Sequence, residues 1–108
     1  MTERKISQKI KEITEKIVKG FQPEKIILFG SWAWGKPIKD SDVDLFIIKN
    51  TRKDPIQRCY EVRKAIEPVV PLDILVFTSR EVKNRLRLGD FFIKRILNQG
   101  KLLYGKRK

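Results

Sequence analysis

Three short apolar runs, Lys25-Ile-Ile-Leu-Phe29, Val43 to Ile48 and Leu72 to Phe77, are each set off by turn-forming residues and too short for a packed helix. They restrict the chain to folds built on a small sheet. Between them lie patterns of helical period. Ile6, Ile10, Ile13 and Ile17 recur at intervals of four, three and four, which predicts one apolar helix face between about Thr2 and Gly20, stopped by Gly20 and Pro23. After a loop rich in turn formers (Gly35, Pro37, Asp40, Ser41) and the second strand, a helix is predicted over Pro55 to Glu67. Ile56, Tyr60 or Cys59, and Ile66 should turn inward, and Pro68 and Pro71 bracket its end. Thr78-Ser-Arg-Glu81 has the spacing of a capping box that starts the next helix. Gly89 and Asp90 interrupt that helix, Phe91 to Gln99 forms another before Gly100, Lys101-Leu-Leu-Tyr104 suits an edge strand, and Lys106, Arg107 and Lys108 make a basic tail. The order predicts an α/β (α+β) fold: a small mixed β-sheet with helices packed mainly on one face. Residues 1–108, 41% hydrophobic, suffice for one core and are expected to form a single domain.

Absences narrow the chemistry. With no histidine, the chain cannot run a Ser-His-Asp triad, an HExxH zinc site or a Cys-His pair, and a single Cys59 excludes an internal disulfide or a thiolate-cage zinc site. Carboxylates, hydroxyls, lysines and arginines remain, and as metal ligands these are hard oxygen donors suited to Mg²⁺ or Mn²⁺. One reduced cysteine fits the cytoplasm. No apolar run approaches the roughly 20 residues that cross a bilayer, and no segment reads as a signal peptide, so no membrane association is expected. The net charge of +12, from 25 Lys+Arg against 13 Asp+Glu, favours polyanionic partners such as nucleotides, nucleic acid or an acidic protein. It is equally the mark of a lysine-rich surface adapted to heat.

A glycine and a small hydroxyl residue directly after a buried strand let backbone approach a phosphate closely, and Gly30-Ser31 stands there. An isolated Gly-Ser pair is more often an ordinary strand-ending turn. Gly30, Gly35 and Lys36 also match the first seven positions of a phosphate-binding P-loop, but Pro37 at the eighth offers neither a hydroxyl for Mg²⁺ nor a backbone N–H. Trp32 and Trp34 also fill a loop that would have to wrap phosphates closely, and such tryptophans serve more often as core or partner-facing anchors.

Asp42-Val43-Asp44 opens the second strand, and alternation puts both carboxylates on one side. A lone D-x-D is usually a turn, here Asp40-Ser41-Asp42. Asp73 weighs against that reading, since a charge inside Pro71-Leu-Asp-Ile-Leu-Val-Phe77 sits in a strand otherwise built for burial. If the second and third strands are neighbours, Asp73 falls beside the pair. Three carboxylates then surround two divalent ions, the arrangement for in-line displacement at phosphorus. Asp42 and Asp44 would bridge both ions, and Asp73 would bind the catalytic one and take the nucleophile's proton.

Gly30-Ser, ten residues, Asp42-Val-Asp44 and a third strand bearing Asp73 together resemble the signature of the polymerase-beta-type nucleotidyltransferase superfamily, and within it the minimal nucleotidyltransferases, the MNT or MntA-like proteins. Leu28-Phe-Gly-Ser with Ala33 and Gly35, Ser41-Asp-Val-Asp-Leu45, Leu72-Asp-Ile74 and the segment from Gly100 to Gly105 extend the resemblance over most of the chain. Trp32 and Trp34 are bulkier than that loop usually carries. The resemblance implies a polymerase-beta-like fold and Mg²⁺-dependent transfer of a nucleotide from ATP. It also implies an antitoxin role against a HEPN-type ribonuclease toxin, adenylylated on a tyrosine. Two alternatives remain: an antitoxin that neutralises its partner by binding alone, and a small-molecule nucleotidyltransferase of the antibiotic-modifying kind.

Overall fold

A computed structural model describes residues 3–35, 42–66 and 70–105. The elements run α1 (Glu3–Phe21), β1 (Lys25–Phe29), α2 (Ser31–Trp34), β2 (Val43–Ile48), α3 (Pro55–Ala65), β3 (Leu72–Phe77), α4 (Ser79–Arg87), α5 (Phe91–Gln99) and β4 (Lys101–Tyr104). The expected turn at Asp40-Ser41, the residues Lys36, Pro37 and Pro68, and the basic tail lie outside the described residues. Local chemistry sets most boundaries. Asp54 caps α3 by accepting from the Gln57 amide, with Pro55 at the helix start, and Thr78 and Glu81 close the capping box of α4. Asp90 caps α5 by accepting from the Ile93 amide, one residue after Gly89 turns the chain at φ 83°.

The sheet has the order β3-β2-β1-β4, with β2 and β3 parallel and β1 antiparallel to both β2 and β4. β2 and β3 pair along their whole length, held at one end by Val43 N–H donating to Pro71 O (2.9 Å) and at the other by Lys49 N–H donating to Phe77 O (3.0 Å). Alternation along the strands feeds two cores. Ile26, Leu28, Val43, Leu45, Ile47, Ile74 and Val76 meet the Ile10-Ile13-Ile17 face of α1 and Val62 of α3. Ile27, Phe29, Phe46 and Ile48 meet Val82 of α4 and Ile93 and Ile96 of α5. The longer helices, α1 and α3, take one face, in keeping with helices mainly on one side, and the shorter α4 and α5 cover the second. No helix among the described residues is long and apolar enough to cross a membrane.

α3 corrects the sequence reading. Of the residues expected inside, Ile66 is buried, and of the pair Tyr60 or Cys59 it is Cys59 that turns in, half-buried; Ile56 and Tyr60 are 84% and 65% exposed, while Arg58 and Val62 are buried. The helix ends at Ala65, with Ile66 as its C-cap. The reason lies at the free edge of β3, where outward carbonyls need donors that a helix can supply. Arg63 Nη2 donates to Leu72 O (3.1 Å), the Cys59 thiol to Ile74 O (3.5 Å) and Arg58 Nη1 to Val76 O (3.2 Å), so α3 rolls to present these three side chains along the strand. Arg58 also donates through Nε to Lys53 O (2.7 Å) and to both carboxylate oxygens of Glu81 (2.7 and 3.2 Å). One buried cation thus ties the loop before α3, the end of β3 and the start of α4. That hydrogen bond, with further help from the Thr78 amide, holds the Glu81 carboxyl below its ordinary range.

Candidate active site

The parallel pairing of β2 and β3 puts Asp44 directly opposite Asp73. Neighbouring side chains in register project to one face, here the one that carries Phe46, Ile48, Leu75 and Phe77 toward α4 and α5. The helices cover the far part of that face. At its near end Phe46 gives way to a half-buried Asp44, and Asp73 and Asp42 are exposed. Asp42 precedes β2 by one residue, on the same side by alternation. Burial first, and then the charges of Asp73 and Asp42, hold the Asp44 carboxyl above the usual carboxylate range. The structure therefore brings all three carboxylates into electrostatic contact.

Gly30 completes this end. β1 runs antiparallel to β2 with Phe29 opposite Asp44, so the next residue lies beside the Asp44 side chain. Gly30 adopts φ 77° and ψ −157°, a combination essentially restricted to glycine, and a Cβ built on it would overlap Asp44 Oδ2. Its missing side chain is the space that Asp44 occupies. The sequence singled out Gly30 for approach to a phosphate; its packing under Asp44 is a second demand that only the strand register reveals. Ser31, half-buried, begins α2 at the mouth of the same turn.

A four-residue helix has no stability of its own and must be pegged by its side chains. Trp32 packs into the α1 side of the molecule, lining a hollow with Ile10, Thr14 and Leu103. Trp34 goes to the opposite face. Its Nε1 donates to Gln99 O (2.9 Å), its ring lies 6.1 Å from that of Phe29, and the Arg95 guanidinium stacks 4.0 Å above it. Phe92 meets Phe29 edge-on at 5.6 Å. The two tryptophans straddle the sheet and fix the Gly30-Ser31 turn against both layers, which bears out their reading as anchors. Phe92 and Arg95 have no sequence signal for this role, because their partners Phe29 and Trp34 lie far away along the chain.

Whether this end suits divalent metal can be judged from its donors. The donor set is hard oxygen, and Asp44, raised by burial and then by the charges of Asp73 and Asp42, lies among acids whose charge a divalent ion would offset; both fit such an ion. Among the described residues no three acidic, histidine or cysteine side chains are drawn together into a closed ligand cluster.

The fold has known relatives. It is similar to a Sulfolobus solfataricus protein described as a nucleotidyltransferase (TM-score 0.64, 21% identity, 98% of this chain and 86% of that one). It is also similar to a mutant of the toxin-antitoxin MntA-HpeT (TM-score 0.56, 19% identity, 99% and 76%). A third likeness is to a toxin-antitoxin solved with AMP-PNP (TM-score 0.58, 21% identity, 90% and 74%). At these identities the likeness speaks for the fold alone. No curated protein sequence matches the chain. The sequence profile of the family described as "Polymerase beta, Nucleotidyltransferase" matches residues 8–108, which span every element from most of α1 to β4, and the chain belongs to that family.

Proposed function

We propose that the chain transfers AMP from ATP to a protein acceptor, as the cytoplasmic antitoxin of a pair whose toxin is a HEPN-type ribonuclease modified on a tyrosine. The register of Asp44 against Asp73, with Asp42 beside them, carries this reading. The family match and the likeness to toxin-antitoxin nucleotidyltransferases support it. Asp42, Asp44 and Asp73 would hold two Mg²⁺ ions, or Mn²⁺, which when bound neutralise the triphosphate and acidify the acceptor hydroxyl. Gly30-Ser31 brings backbone and a hydroxyl to the phosphates. Asp73, the exposed member facing Asp44, takes the acceptor's proton as its oxygen attacks the α-phosphorus; the bond to the β-phosphate oxygen breaks and pyrophosphate leaves.

With ATP labelled at the α-phosphate, Mg²⁺ and the toxin, label should appear on the toxin and disappear when EDTA is added. Unchanged transfer rates in Asp42→Asn, Asp44→Asn and Asp73→Asn would defeat this mechanism. Neutralisation by binding alone is favoured by one observation, the exposure of Phe91 and Phe92 (82% and 50%), and predicts that protection of cells survives loss of the carboxylates.

Gly30→Ala is a sharper test of the local geometry. The new methyl meets Asp44 Oδ2 and the backbone is one that alanine resists. Transfer should fall about 100-fold, because displacement of a reacting group by ~1 Å has that order of effect. Stability should fall too, by the ~1–3 kcal/mol of a forced backbone, seen as a lower melting temperature. A variant with wild-type transfer rate would show that the Gly30–Asp44 contact does not matter.

A further inference from the structure

We propose that the corner between α4 and α5 is the surface that grips the protein acceptor, and that an acidic helical segment of that acceptor, leading to an apolar pocket, seats on it. The inference rests on the proposal that the acceptor is a protein. Leu88 and Phe91 stand three residues apart at the corner, 70% and 82% exposed. Isolated exposed apolar residues are ordinary, but these two sit on a rigid mount. Gly89 turns the chain, Asp90 caps α5 and pairs with Arg85 (3.2 Å), and the Asp90 amide donates to Arg85 O (3.0 Å). The corner presents its knob without having to order it on binding.

The charge beside the knob selects the partner. Arg80, Lys83 and Arg87 recur at three and four residues along one face of α4, lining an open hollow of about 560 Å³ with Asn84 and Glu81. The acids of this region are already engaged, Glu81 by Arg58 and Asp90 by Arg85. Among the described residues Arg80, Lys83 and Lys94 make no ion pair. A basic stripe running into an apolar knob complements an acidic helix beside an apolar pocket. A nucleic acid would meet the stripe but leave Leu88 in water. The corner also adjoins the site, since Phe92, next to Phe91, packs on Phe29, which pairs with Asp44.

The probe is the purified HEPN-type toxin, titrated calorimetrically into the full chain at low and moderate salt, with a single-stranded RNA oligonucleotide as the competing ligand. Leu88→Ser/Phe91→Ser and Arg80→Glu/Lys83→Glu should each weaken toxin binding by about 30-fold or more, the loss typical of an interface hot spot. The second pair should also flatten the salt dependence. Both should melt as the parent does, and Ile56→Ser/Tyr60→Ser, an equally exposed apolar pair on α3, should bind as the parent does. Toxin binding unchanged in both corner variants, or a corner that holds the RNA more tightly than the toxin, overturns the proposal. The two readings separate cleanly. Corner-dependent binding without AMP transfer leaves the docking surface standing and removes the enzymatic reading; transfer undiminished by the corner variants does the reverse. No binding to the intact chain overturns both.

Discussion

Replacing Asp44 by Asn is expected to cut nucleotidyl transfer by about 10³-fold, or roughly 4 kcal/mol of transition-state stabilisation, and to make the metal-free protein more stable. The two effects have one cause. Burial, Asp73 and Asp42 all disfavour the ionised Asp44, so its carboxyl titrates above the ordinary value of 3.8. A carboxyl with a raised folded pKa contributes stability below the unfolded value, and that contribution is lost as pH rises through the folded one. At neutral pH the ionised group therefore works against the fold, and Asn removes that charge. Solvent screening of a partly exposed group keeps the gain near 0.5 kcal/mol, or about 2–4 °C in Tm. Thermal melts in EDTA should show the variant above the parent at pH 7 and the two converging below pH 3.8, where both side chains are uncharged. Addition of Mg²⁺ should raise the parent's Tm and leave the variant's nearly unmoved. A variant that melts below the parent in EDTA at pH 7 would mean that Asp44 is held by favourable contacts and is not a strained acidic site awaiting a cation.

What could be read in advance was what depends on near neighbours in sequence. The bounds of β1, β2 and β3 follow from apolar runs ended by Gly30, Lys49 and Thr78, and the α4 capping box needs only residues three apart. The facing of Asp73 and Asp44 was legible conditionally, given adjacent strands, and the parallel register supplies that condition. The roll of α3 was not legible. Hydrophobic periodicity favours Ile56 inside, and what overrides it, three outward carbonyls of β3, comes from a strand that starts seven residues after the helix ends. The second helical layer has no local signal for a similar reason. Phe46 and Ile48 alternate with Leu45 and Ile47 in a continuous apolar run, which marks a strand buried on both faces but does not say which helices bury it.

Arg58→Met should produce the largest loss of stability in the molecule outside the apolar core. A buried cation with four hydrogen bonds is replaced by a side chain of similar length that makes none. Lys53 O and Val76 O lose a donor, and Glu81 keeps its charge without its partner. Breaking a fully buried pair costs ~3–5 kcal/mol, and because Glu81 is 41% exposed the lower end applies, about 3 kcal/mol and a fall in Tm of about 12 °C or more. The acid limb should change as well. With its carboxyl held down by Arg58, Glu81 contributes stability that is present above its ordinary value of 4.5 and lost as pH falls through the lower folded value. In Arg58→Met that dependence should flatten, and Glu81→Gln should reproduce the flattening at a smaller overall cost, since Gln can still accept from Arg58. Chemical denaturation of the two single variants and the double variant at pH 7 and at pH 3.5 isolates the coupling. The consequence for the site is indirect: Arg58 fastens α3 to the Val76 end of β3, three strand positions beyond Asp73, which lies near the start of the pairing with β2. Well below its melting temperature, the variant should therefore hold Asp73 opposite Asp44 and transfer nucleotide at close to the parent rate. A rate that drops while the protein is still folded would show that the edge seal controls the carboxylate register itself.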